Sequence, residues 1–101
     1  VLFSDLMALT NRGIQTLLKQ VDRDDLILAL KGGTPTEVDR FLENVSSRAA
    51  EDIREEMEIM GPVPKSRIRG AQERIVATAL KLAEEGAIYL SIGADEDEED
   101  E

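Results

Sequence analysis

Ser46-Ser47-Arg48-Ala49-Ala50-Glu51-Asp52-Ile53-Arg54-Glu55-Glu56-Met57-Glu58-Ile59-Met60, closed by Gly61-Pro62-Val63, is the stretch around which the chain is organised. Ser46 suits a helix N-cap, because its hydroxyl can accept from a free N–H of the first turn. Gly61 suits the residue after a helix end, and Pro62 prevents continuation. At a helical step of about 100° per residue, Ala49, Ala50, Ile53, Met57 and Met60 fall on one side. Arg48, Glu51, Asp52 and Glu55 fall on the other, with Glu56 on the flank. Arg48 and Asp52, at i and i+4, are spaced to pair. An exposed pair of this kind contributes only about 0.3–0.5 kcal/mol, too little to account for the charge density by stability. By its pattern alone, the stretch reads as the solvated face of an amphipathic helix.

Working outward, the flanking chain predicts more helices. Ser4 is placed to cap a short helix through Leu9, and Thr10 or Asn11 a second one to about Gln20. In the second, Ile14, Leu17, Leu18 and Val21 recur at helical spacing. Asp22 is placed to cap a third, Arg23 to Lys31, whose run Leu26-Ile27-Leu28-Ala29-Leu30 is apolar all round and so expected to be buried on most sides. Gly32-Gly33 ends it. Thr34-Pro35 with Glu37 reads as a capping box with Pro at the first helical position, opening a fourth helix that presents Val38, Phe41, Leu42 and Val45. After Pro62-Val63-Pro64 the longest helix begins near Ser66. It shows Ile68, Ala71, Ile75, Ala79 and Leu82 on one face, widened by Val76 and Ala83, and closes at Gly86. Ala87 to Ile92 is expected to run extended and pack on the helices, having no second strand to pair with. Six or so helices with short connections predict an all-α compact bundle over residues 1–92, followed by an acidic disordered tail over 93–101.

Composition narrows function. The chain has 101 residues, no Cys and no His, which leaves no thiol chemistry, disulfides or histidine acid–base catalysis. Its apolar runs fall far short of a membrane span, so no direct membrane insertion is expected, and a cytoplasmic protein is the default. The net charge is −10, yet seven of the acids are the consecutive residues Asp95 to Glu101. Without them 15 acids face 12 bases, a balance of −3 that offers no basic stripe for nucleic acid. Gly32-Gly33 lies outside any phosphate-binding pattern. The paired acids (Asp24-Asp25, Glu55-Glu56, Glu84-Glu85) point apart along helices, and the tail lacks the Gly and spaced oxygens of a calcium loop. No enzyme, metal or cofactor is expected. A generic helical adaptor with a charged binding face is one alternative, and a small acidic enzyme or metal-binding protein is another.

Several short segments carry a resemblance. Phe3-Ser4-Asp5-Leu6, Arg12-Gly13-Ile14-Gln15, Asp25-Leu26 with Ala29-Leu30-Lys31-Gly32, Ser47-Arg48-Ala49-Ala50-Glu51, Gly61-Pro62-Val63, Gln72 and Leu82-Ala83-Glu84-Glu85-Gly86 stand in the order and spacing of one family. From Val1 to Leu90 the chain resembles the C-terminal domain of the bacterial flagellar motor switch protein FliG. That resemblance implies an armadillo-like helical domain at the rim of the cytoplasmic rotor ring (the C-ring) in the flagellar basal body, on the cytoplasmic face of the inner membrane. It implies torque generation and rotational switching through contact with the stator subunit MotA or its sodium-driven equivalent. It also implies contacts of the whole protein with neighbouring FliG, FliM and the membrane-ring protein FliF. The family's stator-facing charges fall on Lys31, Arg48, Glu55 and Glu56. Pro64 stands where the family has a basic residue, with Lys65 next to it as the stand-in. Leu2 and Phe3 match the end of a family hinge motif. The chain opens on Val1 rather than Met, and is read as starting inside that hinge, as a piece of a longer protein.

Overall fold

The helix with the apolar run forms the centre of the molecule. In the computed structural model, which describes residues 1–90, Arg23–Lys31 buries five consecutive residues, Leu26, Ile27, Leu28, Ala29 and Leu30. A helix apolar on every side needs cover on every side. This helix, α2, is covered chiefly by α4 (Ser47–Met60) and α5 (Lys65–Glu84), while a 3₁₀ helix, Phe3–Ala8, and α1 (Asn11–Gln20) pack on α5 and α3 (Pro35–Leu42) packs on the 3₁₀ helix. The described residues are all-helical, as expected. α2 packs most extensively on α5, whose Ala71, Ile75, Ala79 and Leu82 form the buried stripe. The small residues Ala71 and Ala79 let the two axes approach. Phe41 of α3 is fully buried and stacks on Phe3, with ring centroids 5.4 Å apart.

Local signals set most element ends. Thr34 accepts from the Glu37 N–H at 3.1 Å while the Glu37 carboxylate accepts from the Thr34 N–H at 2.9 Å, with Pro35 at the first helical position. Thr10 caps α1 and Ser46 caps α4. Two expected caps are not formed. Asp22 precedes α2 without a side-chain cap bond. Ser4 lies inside the first helix, which is 3₁₀ and starts from Leu2, whose N–H donates to the Asp5 carboxylate at 2.7 Å. Asp5 sits three residues after Leu2 and so reaches back to an N–H that Ser4 cannot serve. The expected hinge residues part company here: Leu2 is exposed, and Phe3 is buried in the core.

At the other end, Ile88 is buried and Leu90 packs against the core while Tyr89 is exposed, an alternation that fits an extended segment. The boundary expected at 92/93 and the acidic tail lie outside the described residues.

Two glycines have separate physical grounds. Gly61 has φ 69° and ψ −161°, a region essentially closed to residues with a Cβ, and it turns the chain sharply after α4. Gly32 has ordinary backbone angles, but a Cβ there would lie 2.4 Å from the Ile68 Cγ2 of α5. Gly32→Ala is therefore expected to destabilise the fold by about 1–3 kcal/mol through overpacking. Adding Ile68→Leu, which removes the branched methyl, should recover part of the loss in urea denaturation. Equal stability of Gly32→Ala and wild type would remove the close-approach explanation.

Candidate functional site

α4 buries fewer residues than any other helix of the described chain. Of its fourteen residues, Ile53 alone is buried, and Ala49, Ala50 and Met57 are half-buried. Met60, expected on the inner face, is exposed: α4 enters the core at Ile53, and its last turn, with Ile59 and Met60, runs past the buried residues. Lateral ties supplement Ile53. Arg54 bonds Asp39 of α3 at 2.7 Å, and Glu56 bonds Arg23 of α2. The hydrogen bond that Arg23 donates to the Glu56 carboxylate, together with that carboxylate's negative charge, holds the Arg23 guanidinium pKa above its ordinary value, with Asp52 and Asp24 adding smaller contributions. The Lys31 ammonium donates to the Met57 carbonyl at 3.0 Å.

The expected site residues therefore divide. Arg48 and Glu55 are exposed, and among the described residues neither has an ion-pair partner within 4 Å. The expected Arg48–Asp52 pair is not formed: helical spacing permits such a pair without dictating the rotamers, and two exposed side chains gain little by closing it. Arg48, Asp52, Glu55 and Ile59 follow one another at steps of four, three and four, so they form one outward stripe about 16 Å long at 1.5 Å per residue. Glu56 and Lys31 are committed within the chain, to Arg23 and to Met57. Lys65 opens α5, exposed, and shares a shallow hollow with Lys31, Gly32, Val63 and Arg69. Thus Lys31 and Lys65, thirty-four positions apart, meet at the far end of α4 from Arg48.

Pattern reasoning missed two features. Ile59, at 77% exposure, ends the stripe on an apolar side chain. Its place four residues after Glu55 was the available signal. The partners Arg23 and Asp39 gave none, since each lies on another helix.

The signs of the α4 charges oppose its own dipole. The positive N-terminus carries Arg48 and no acid in the first turn, while Glu58 and no base stand in the last turn. Charges placed for helix stability would have the reverse order, each worth about 0.3–1 kcal/mol when exposed. Among the described residues no three carboxylates converge on a metal position, and no helix is long and apolar enough to cross a membrane.

Fold and site together define an all-helical domain that displays a charged helix and groups no catalytic side chains among its described residues. The model of the FliG C-terminal domain matches residues 1–90, and the chain belongs to that family. The flagellar motor switch protein FliG of Pseudomonas aeruginosa is 43% identical over 88 residues, covering 87% of this chain and 26% of its own length. That of Helicobacter pylori is 42% identical over 95 residues, or 94% of this chain and 27% of its own length. The chain thus spans about a quarter of the relatives it matches. A crystal structure of a part of FliG from H. pylori superposes with a TM-score of 0.87 at 41% identity, over 89% of this chain and 40% of that one. Full-length FliG from Aquifex aeolicus gives 0.82 at 41% identity, over 85% and 27%.

Proposed function

We propose that this domain is the torque-bearing contact of a flagellar rotor, and that α4 meets the cytoplasmic part of a stator subunit of the MotA type or its sodium-driven equivalent. The observation that carries the reading is the stripe Arg48, Asp52, Glu55: exposed and without ion partners within 4 Å among the described residues, with Arg48 of the wrong sign for the helix N-terminus at which it stands. Local rules broken at one surface point to a demand from outside the fold.

A rotor contact must form and release repeatedly. Exposed charges suit that task, since they steer and orient an encounter while adding little affinity. Arg48 meets a stator acid and Glu55 a stator base. Glu56 joins by exchanging its bond to Arg23. Lys65 supplies the cation that Pro64 cannot, at the hollow it shares with Lys31. Leu2 and Phe3 lead into the hinge on which rotational switching turns, with exposed Leu2 on the linker side and buried Phe3 anchoring the domain. In the whole protein this places the domain at the cytoplasmic face of the inner membrane, beside neighbouring FliG, FliM and FliF.

The test is coupled charge reversal. Swimming lost with Arg48→Glu and restored by reversing an acid on the stator supports the contact. Failure of every stator acid to rescue overturns it.

A further inference from the structure

We propose that Lys31 is a positioning residue, whose ammonium caps the C-terminus of α4 and so sets the direction of the charged stripe, rather than itself meeting a partner's acid. The inference rests on the reading of α4 as the contact surface.

The last four carbonyls of a helix lack partners within it. In α4 the Gly61 N–H turns to the Glu58 carbonyl at 3.2 Å, which leaves the Met57 carbonyl without its usual donor four residues on. Lys31 fills that vacancy across twenty-six positions of sequence, by a part-buried bond of 3.0 Å. α4 has no base of its own in the last turn, so the cation that its dipole calls for is supplied from α2. Lys31 is also the base in the last turn of α2. The bond thus ties the C-terminal turn of α4 to that of α2. Beyond Ile53 the outer half of α4 has Met57 half-buried and Ile59 and Met60 exposed. With so little apolar burial there, the position of the last turn depends on this bond and on the Gly61 turn. Glu55 and Ile59 ride on that turn or next to it, so a shift of the last turn re-aims them.

The experiment compares Lys31→Met, Lys31→Arg and Lys31→Met with Met60→Lys by amide exchange, and Lys31→Met, Lys31→Arg and Lys31→Glu by swimming. In the 101-residue chain, amide hydrogen exchange at Glu58 to Gly61 is expected to quicken about tenfold in Lys31→Met, while the amides of Ile27 and Ile75 stay protected. Lys31→Arg keeps a cation in reach and restores protection. Met60→Lys restores part of it by placing a base in the last turn of α4 itself. In full-length protein in cells, swimming falls in Lys31→Met, returns in Lys31→Arg, and is not restored to Lys31→Glu by any acid-to-base change on the stator. A loss of swimming in Lys31→Met with unchanged exchange, or a stator reversal that rescues Lys31→Glu, would overturn the positioning role. Should Lys31→Met not fold, the double variant with Met60→Lys carries the exchange test, and unfolding of both while Lys31→Arg stays native still assigns the cation to the fold. If reversal at Arg48 and Glu55 leaves swimming intact, the reading of α4 fails instead, and the exchange result still decides whether Lys31 caps the helix.

Discussion

Arg48→Glu combined with Glu55→Lys, made in the full-length protein, is expected to leave flagella assembled and to abolish most swimming. Both side chains are exposed, and among the described residues neither has an ion-pair partner within 4 Å. Folding therefore loses no ion pair. Arg48→Glu improves the match to the α4 dipole and worsens the i,i+4 relation to Asp52, two effects of opposite sign that are each below about 1 kcal/mol. Urea denaturation of the variant domain should accordingly lie within about 1 kcal/mol of wild type. The contact behaves differently. Reversing a charge turns attraction into repulsion, and a change of only about 1.4 kcal/mol weakens an association tenfold. Reversal at both ends of the stripe is then enough to disengage a contact made mostly of such pairs. Two signatures separate this from misfolding: opposite reversals on the stator should restore swimming, and raised ionic strength should lessen the defect as exposed charges are screened. Normal swimming of the double variant at low and high salt would leave the stripe as nothing more than a solvated face.

Ile53→Ala tests the same surface from beneath. Ile53 is 3% exposed and is the α4 residue that enters the core. Its truncation is expected to cost about 2–4 kcal/mol, from lost burial and the cavity left behind. The remaining ties of α4 are the Arg54–Asp39 and Arg23–Glu56 pairs and the Lys31 bond to Met57. Exposed pairs contribute at most about 1 kcal/mol each, so they do not replace a buried isoleucine. The loss should therefore be local. Amide exchange is expected to quicken along Ala50 to Met60, with Ile27, Leu30 and Ile75 in the α2–α5 core still protected. Swimming should fall although every charge of the stripe remains, because the charges are no longer held in one orientation. Ile59→Ala is the matched control: at 77% exposure it should change stability by less than about 0.5 kcal/mol. Equal costs at Ile53 and Ile59 would mean that α4 is not seated as the fold shows.

Much of this architecture was legible in the residues themselves. The bounds of α1 and α2, the start of α3 with its capping box at Thr34 and Glu37, the Ser46 cap and the buried run of α2 follow from interactions between residues at most four apart, which helical geometry alone prescribes, whereas Val45, expected on the helix that is α3, lies beyond its end at Leu42. The stripe on α4 was legible for the same reason, since seven residues make two turns whatever surrounds them. What α4 does with its charges was not. Glu56 is committed to Arg23, thirty-three positions away, and Lys31 to Met57, twenty-six away. Asp25 receives a bidentate Arg74 from forty-nine positions off, joining α2 to α5. Neither period nor propensity encodes such pairings, which depend on the angles at which α4 and α5 cross α2. Met60 is exposed and Asp22 makes no cap bond for a kindred reason: a side chain's local opportunity is taken up only if the packed neighbours leave it the space and the partner. By itself the sequence determined that there would be helices, where most of them would begin and which faces would be largely apolar. Tertiary structure alone decided which of the exposed charges are spent on the fold and which are left for a partner. A charge's pairing depends on distances of a few ångströms, and those exist only once the helices have packed.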